Sequence, residues 1–331
     1  MTILVTGGAG YIGSHTVRAL QEEGEEVVVL DDLSEGHRKA VKGTKLRKVD
    51  LKSAVRTKKA LCEIRPEAVF HFAASCYVGE SVTDPGKYYR QNVVALLNLL
   101  EGMAAASCKR MVFSSTCAIY GEPKRIPITE DLPKNPVNSY GRTKLHGEGM
   151  LADYHRAHGI ESVSLRYFNA AGAHPDGSLG EDHEPETHLI PLVLDVALGK
   201  RKDIKIFGTD YPTRDGTCIR DYIHVMDLAR AHILGLACLR DGRAGVRAYN
   251  LGNETGHSVL EVLEAARKVT GHPIPAEDAP RRPGDPPKLV GSSALARNEL
   301  GWQPRFGDLE AILATAWNWH RNHPDGYGET G

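Results

Sequence analysis

Tyr140 and Lys144 stand four residues apart in Ser139-Tyr140-Gly141-Arg142-Thr143-Lys144. On a helix that spacing puts both side chains on one face, so the ammonium is expected to lie near the phenol and lower its pKa from the usual ~10. A phenol so tuned can exchange a proton with an alcohol while a nicotinamide takes or gives a hydride. Upstream, the run Phe113-Ser114-Ser115-Thr116-Cys117-Ala118-Ile119-Tyr120-Gly121 closes an apolar segment with hydroxyls. At the carboxyl end of a parallel strand such groups face a ligand crevice, and Thr116 is the candidate to bond the oxygen that Tyr140 titrates. A Tyr/Lys pair at this spacing is common on helix surfaces, so its weight comes from what surrounds it.

The first such context is Thr6-Gly7-Gly8-Ala9-Gly10-Tyr11-Ile12-Gly13, which aligns as Gly7-x-x-Gly10-x-x-Gly13 or as Gly8-x-Gly10-x-x-Gly13. Either alignment brings backbone N–H groups and a helix N-terminus toward a pyrophosphate. An apolar run precedes it, a helical pattern follows, and a second apolar run, Val27 to Leu30, ends at Asp31-Asp32. A carboxylate there can accept the adenosine ribose hydroxyls and would repel a 2′-phosphate, so NAD is expected rather than NADP. Asp50, in Val49-Asp50-Leu51, is a candidate for the adenine amino group.

Positioning these groups requires a sheet. Ile3 to Thr6, Val27 to Leu30, Ala68 to Phe72, Arg110 to Ser114 and Ser162 to Arg166 are short apolar runs separated by helix-length segments. They predict an α/β fold, a doubly wound parallel sheet of Rossmann type with right-handed crossovers. After Asn169 the texture turns polar and rich in Gly and Pro, at Ala173 to Glu186 and Glu277 to Pro287. The expected division is therefore 1–170 for the NAD-binding domain and 171–331 for a smaller substrate lobe, with a segment around 220–240 returning to the first domain.

The chain of 331 residues carries 41 Lys plus Arg against 42 Asp plus Glu, a formal net charge of -1. That balance argues against nucleic-acid or membrane-surface partners. Six cysteines without a C-x-x-C pair read as free thiols, and no apolar segment reads as a signal or a span, so a cytoplasmic protein is expected. The fifteen histidines, His183, His188 and His224 among them, show no H-E-x-x-H-type pattern, so no metal is expected. Trp302, Trp317 and Trp319 are assigned to packing, with an amphipathic helix from Leu309 to Trp317 on the lobe.

The glycine turn, Asp31, the Ser-Ser-Thr strand and Tyr-x-x-x-Lys resemble the extended short-chain dehydrogenase/reductase family. Within it, Leu165-Arg166-Tyr167-Phe168-Asn169, Gly172-Ala173-His174-Pro175, Thr187-His188-Leu189-Ile190-Pro191, the segment Asp215 to Val225 and Arg281-Arg282-Pro283-Gly284-Asp285 resemble the UDP-glucose 4-epimerase family nearly end to end. The resemblance implies Tyr140 as acid/base, Lys144 as its partner and a cofactor-ribose ligand, and Thr116 as the completing hydroxyl. It places Leu51, Phe72, Ala73, Ala74, Asn92, Ser114 and Tyr167 around the cofactor with the glycine loop, Tyr11, Ile12, Asp31, Asp32 and Asp50. It gives Asn169, His188, Leu189, Arg220, Arg282 and Asp285 to the UDP-sugar, the arginines as phosphate clamps.

The implied reaction is exchange of UDP-glucose and UDP-galactose through a 4-keto sugar, by a homodimer for which Asn92 to Met103 is a candidate face. Three departures from the family pattern stand out. His71-Phe72-Ala73-Ala74-Ser75-Cys76 lacks a Lys frequent there, His188 replaces a frequent Asn, and Leu289, of intermediate size, sits where bulk decides room for N-acetyl groups. A UDP-xylose/UDP-arabinose epimerase, a nucleotide-sugar 4,6-dehydratase and a non-catalytic NAD-binding regulator remain as alternatives. The dehydratase is disfavoured because Cys117 and Ala118 stand where a carboxylate pair would supply its acid and base.

Overall fold

The computed structural model describes residues 1–243, 245–282 and 285–328, so Pro283 and Gly284 of the Arg-Arg-Pro-Gly-Asp block lie outside the described residues. The chain opens with β1 (Thr2–Thr6), α1 (Tyr11–Glu22), β2 (Glu26–Asp31), β3 (Lys45–Lys48), α2 (Ala54–Ile64) and β4 (Ala68–His71). It continues with α3 (Val78–Thr83), α4 (Pro85–Tyr88), a π-helical turn (Tyr89–Val94), α5 (Ala95–Ala105), β5 (Arg110–Thr116), α6 (Ser139–His158) and β6 (Glu161–Tyr167).

These strands and β11 (Val246–Leu251) make one seven-stranded sheet in the order β11-β6-β5-β4-β1-β2-β3, parallel throughout. Strand order reverses between β1 and β4, which is where a doubly wound sheet opens a crevice at its carboxyl ends. Pairing of Thr6 with both Leu30 and His71, and of Thr116 with Tyr167, sets those ends side by side.

Period two along the strands divides the core. Ile3, Val5, Val29, Phe70, Val112 and Val163 face one way, against helices whose buried residues include Val17, Leu20, Leu228 and Leu236. Leu4, Val28, Val69, Met111 and Phe113 face the other, against Leu61, Leu96, Leu99, Leu100 and Leu151. Strands covered on both sides read as continuous apolar runs. The two edge strands do not: Lys45-Leu46-Arg47-Lys48 and Val246-Arg247-Ala248-Tyr249-Asn250-Leu251 carry polar residues, and neither announced itself in the sequence.

The second lobe follows β6 with β7 (Asn169–Ala171), α7 (Leu189–Ala197), β8 (Ile204–Phe207), β9 (Ile219–Arg220) and β10 (Tyr222–His224). After α8 (Val225–Arg240) come β12 (His257–Ser258), α9 (Val259–Thr270), β13 (Ala276–Ala279), β14 (Lys288–Leu289), α10 (Ala294–Leu300) and α11 (Leu309–Asn322). Ile190, Val193 and Leu194 of α7, Val262, Leu263 and Ala266 of α9, and Ile312, Leu313 and Ala316 of α11 form its core.

Helix α8 leaves this lobe to pack on α1, β5 and β6. Strand β11 and Trp302 also join the first core, so more chain returns than residues 220–240. Trp302 is fully buried there, its indole N–H donating to the Asp227 carbonyl at 2.9 Å, a packing role as expected, but in the first core.

Candidate active site

Helix α6 starts beside the end of β5 because Asn138 caps it, accepting from the Gly141 N–H at 2.8 Å. A Cβ at Gly141 would lie 2.5 Å from the Ala118 carbonyl, so glycine is what lets the first turn approach the Thr116–Ala118 segment. Tyr140, Lys144 and Glu148 then follow one another along one face at i, i+4 and i+8.

Lys144 is buried, and its Nζ donates to the Ser114 carbonyl at 2.8 Å while sitting 5.1 Å above the Phe113 ring. Burial pulls its pKa down to about 8. The expected effect on Tyr140 is corrected: burial, with Cys76 and Tyr167 nearby, pushes the phenol well above its ordinary value. Lys144 gives one of its donors to Ser114, and Thr116 is the hydroxyl that counteracts the rise. Thr116 accepts from the Ala118 N–H at 3.2 Å, so its own hydrogen remains to donate to the phenol. Tyr140 also lies in the first turn of a twenty-residue helix, where the dipole favours an anion.

Behind this face, Glu148 accepts from the Ser115 hydroxyl at 2.7 Å and from Arg166 at 2.8 and 2.6 Å. Arg166 in turn donates to Tyr120 at 2.8 Å, and Tyr120 to Asn250 at 2.8 Å. Both Arg166 and Glu148 are largely enclosed, with side chains 5% and 12% exposed. Ser114 and Tyr167 share a short hydroxyl–hydroxyl bond across β5 and β6.

The glycine loop fits a dinucleotide. Gly7 has φ +69°, and a Cβ there would sit 2.4 Å from Ala73 N; one on Gly13 would sit 2.1 Å from the Gly7 carbonyl. Those two glycines serve the turn and its packing. Gly10 differs: its Cβ would meet only the Gly7 carbonyl at 3.5 Å, an ordinary contact. Among the described residues no neighbour requires glycine there, while Gly10 gives α1 no side-chain cap, so the bare helix N-terminus suits an anionic ligand. Asp31, at the end of β2, accepts from Ala9 N at 2.9 Å and Leu33 N at 2.8 Å, and its remaining lone pairs suit ribose hydroxyls. Burial raises its pKa.

Several of the expected cofactor residues also have partners within the protein. Asn92 has its whole amide engaged, accepting from Ser75 N at 2.9 Å and donating to the Ser75 carbonyl and Thr143 Oγ1 at 3.0 Å each. It clamps the Phe72–Cys76 loop to α6. Leu51 points its side chain into the core, Asp32 closes a turn with Ser34, and Asp50 closes one with Lys52. Tyr11 turns its hydroxyl to the Gly172 carbonyl at 2.6 Å, joining the loop to the second lobe. Phe72 and Ile12 pack on the first core, and Phe72 and Ala73 N–H groups both donate to the Thr6 carbonyl; Ala74 is partly buried beyond them.

Across the cleft, Asp285 pairs with Arg220 and accepts from Arg282 at 3.2 and 2.9 Å. Asn169 is tied through its N–H to the Asp221 carbonyl at 3.0 Å. Asp221, which sequence reasoning left unassigned within its motif, organises this half: fully buried, it accepts from Asn253, Glu254 and Gly291 N–H groups at 2.8, 3.3 and 3.1 Å. Burial raises its pKa to about 6. Arg220 and Asp221 both bear on the Cys117 thiol, next to Thr116, so the anchor group reaches the catalytic strand. Leu289 packs with Ile119, Tyr120, Ile128 and Leu132. Leu189 opens α7 against the second core.

The expectation of no metal-ligand pattern needs correction. Glu181, His183, Glu186 and His188 bring one donor atom each within 4.8 Å of one another. His224 is elsewhere, bonded to Thr315 at 2.9 Å and capping α8. The repeated Glu-x-His spacing, 181/183 and 186/188, was the available signal.

The sequence profile of the NAD dependent epimerase/dehydratase family matches residues 3–252. A UDP-glucose 4-epimerase of Halalkalibacterium halodurans is 54% identical over 328 residues, covering 99% of this chain and 98% of that protein. A crystal structure of a UDP-glucose 4-epimerase superposes with TM-score 0.97 at 51% identity, covering 99% of this chain and 100% of the other. One from Brucella ovis, in complex with NAD, gives 0.93 at 48% identity, covering 96% and 97%. With a glycine cradle, an acid at the end of β2 and a Tyr/Lys/Thr group at the end of β5, the chain belongs to the NAD dependent epimerase/dehydratase family.

Proposed function

We propose that the chain is an NAD-dependent UDP-glucose 4-epimerase, exchanging UDP-glucose and UDP-galactose. The observation that carries this reading is the approach to Thr116 and Cys117 of a proton-transfer group from one lobe and, from the other, of Arg220, which shares its Asp285 partner with Arg282. NAD held by the Gly7–Gly13 turn, Asp31 and the Lys144 face supplies a hydride acceptor and donor at carbon 4. Tyr140 removes the proton of the 4-hydroxyl and later returns one to the resulting ketone. Thr116, donating to the phenol, favours its ionised form, as does the N-terminus of α6.

Arg220 and Arg282 exchange their Asp285 partner for phosphate oxygens of the UDP group, and Asp285 turns to the uridine ribose. Asn169 and Leu189 complete that end, with His188 contributing only its Nε2, since its Nδ1 is held by Glu181. Anchoring by the distant diphosphate leaves the hexose free to present either face, which is what inversion demands. Cys117 and Ala118 offer no acid or base to expel a 6-hydroxyl, which keeps the reaction short of dehydration.

The test is incubation with UDP-galactose and, separately, UDP-arabinose, with neither oxidant nor reductant added. Product from the hexose supports the proposal; product from the pentose alone points to the UDP-xylose/UDP-arabinose enzyme. Absence of both points to a binding protein. A homodimer in the cytoplasm completes the reading: among the described residues no helix is long and apolar enough to cross a membrane, and the six cysteines are unpaired. Most of Asn92 to Met103 is core, but Val94 and Leu97 stay exposed on the outer side.

A further inference from the structure

We propose that Glu181, His183, Glu186 and His188 form a binding site for a single Zn2+ ion. Each imidazole Nδ1 faces both carboxylates. His183 Nδ1 lies 3.3 Å from Glu181 Oε1 and 3.5 Å from Glu186 Oε2, and His188 Nδ1 lies 2.6 Å from Glu181 Oε1 and 3.5 Å from Glu186 Oε1. A tetrahedron with Zn–N and Zn–O bonds of about 2.0–2.1 Å has edges of roughly 3.3 Å, so three of these four separations already match it.

His183 supplies an independent sign. Its Nδ1 is enclosed by the protein, with no well-directed hydrogen bond, and is aimed into the space between the two carboxylates. Once the ion displaces the protons that the carboxylates favour on the two imidazoles, two neutral imidazoles and two carboxylates balance a divalent charge. Two nitrogen donors among four select zinc over the oxygen-seeking Ca2+ and Mg2+.

The site is braced from outside. The Glu181 carbonyl accepts from the Trp319 indole at 3.3 Å, and the His183 ring stands edge-on to Tyr11 and Tyr77, each 6.2 Å away. Tyr11 begins α1 at the glycine loop and Tyr77 caps α3, so the ion would tie this segment of the second lobe to two elements of the first.

The test uses the purified protein with its nucleotide cofactor, dialysed against EDTA and then titrated with Zn2+ against a competing chromophoric chelator. The expected result is one Zn2+ per chain with a dissociation constant below the micromolar range, weakened more than about 100-fold in His183→Ala and in Glu186→Ala. Circular dichroism in EDTA checks that these variants fold. If they do not, Co2+ bound to the unaltered protein must show the intense visible bands of four-coordinate cobalt. Failure of the unaltered protein to take up Zn2+ at tens of micromolar overturns the site, as do folded variants that bind like the parent, or only the pale bands of a six-coordinate surface ion.

Discussion

Burial alone would keep the Tyr140 phenol protonated, so ionisation depends on the few groups that oppose it: Thr116, the start of α6, and whatever the bound cofactor adds. Replacing Tyr140 by Phe keeps the ring and its packing and removes the proton carrier. The expected outcome is protein that still holds NAD, read from its absorbance, with epimerase activity reduced by about 10²–10⁴-fold. Full activity would remove Tyr140 from the mechanism. Lys144 makes a second, thermodynamic prediction. Burial lowers its pKa to about 8, below the ~10.4 of an unfolded lysine. Between those values the unfolded chain carries a proton that the folded chain does not, so this group makes stability rise with pH from about 8 to 10.4, and the gain is lost as pH falls back through 8. Thermal unfolding of the cofactor-free protein should show that rise relative to Lys144→Met, which lacks it; parallel pH curves for the two proteins would contradict the shift.

At the scale of elements, β5 and α6 hold the chemistry only because a buried polar network fixes them to β6 and β11. Removing the cation in Arg166→Met leaves the enclosed Glu148 carboxylate uncompensated and is expected to cost about 3–5 kcal/mol in urea unfolding. The double change Arg166→Met with Glu148→Met should recover much of that loss; additive losses would show that the pair is not coupled. This network also marks where the sequence stopped being legible. Apolar runs announced the five inner strands, and the Tyr/Lys spacing and glycine turn announced the reactive end, because burial on both faces and i, i+4 geometry leave local signatures. Arg166, Tyr120 and Asn250 meet across long separations, so although Tyr120 and Arg166 fall within motifs, nothing local showed that they bond to one another. Strand β3, with two lysines and an arginine, hid its identity because an edge strand satisfies its pattern with water. Lys144 was legible as a site residue, but its acceptor Ser114, thirty residues away, was not.

At the scale of the whole molecule, α5 is where the proposed homodimer can be tested. Leu96, Leu99, Leu100 and Met103 are fully buried beneath the sheet, which accounts for the apolar pattern without any partner. Val94, just before the helix, and Leu97 are three residues apart, on neighbouring positions of the outer surface, 42% and 38% exposed. Exposed β-branched and leucine side chains add nothing to the fold of a lone chain, whereas a two-fold axis beside them would pair the same patch with itself. Replacing both by lysine places like charges across such an axis without disturbing the core behind it. In sedimentation at micromolar concentration the parent is expected to run as a dimer and the Val94→Lys, Leu97→Lys protein as a monomer with an unchanged circular dichroism spectrum. A parent that sediments as a monomer, or a double variant that stays dimeric, would place the subunit contact elsewhere or remove it.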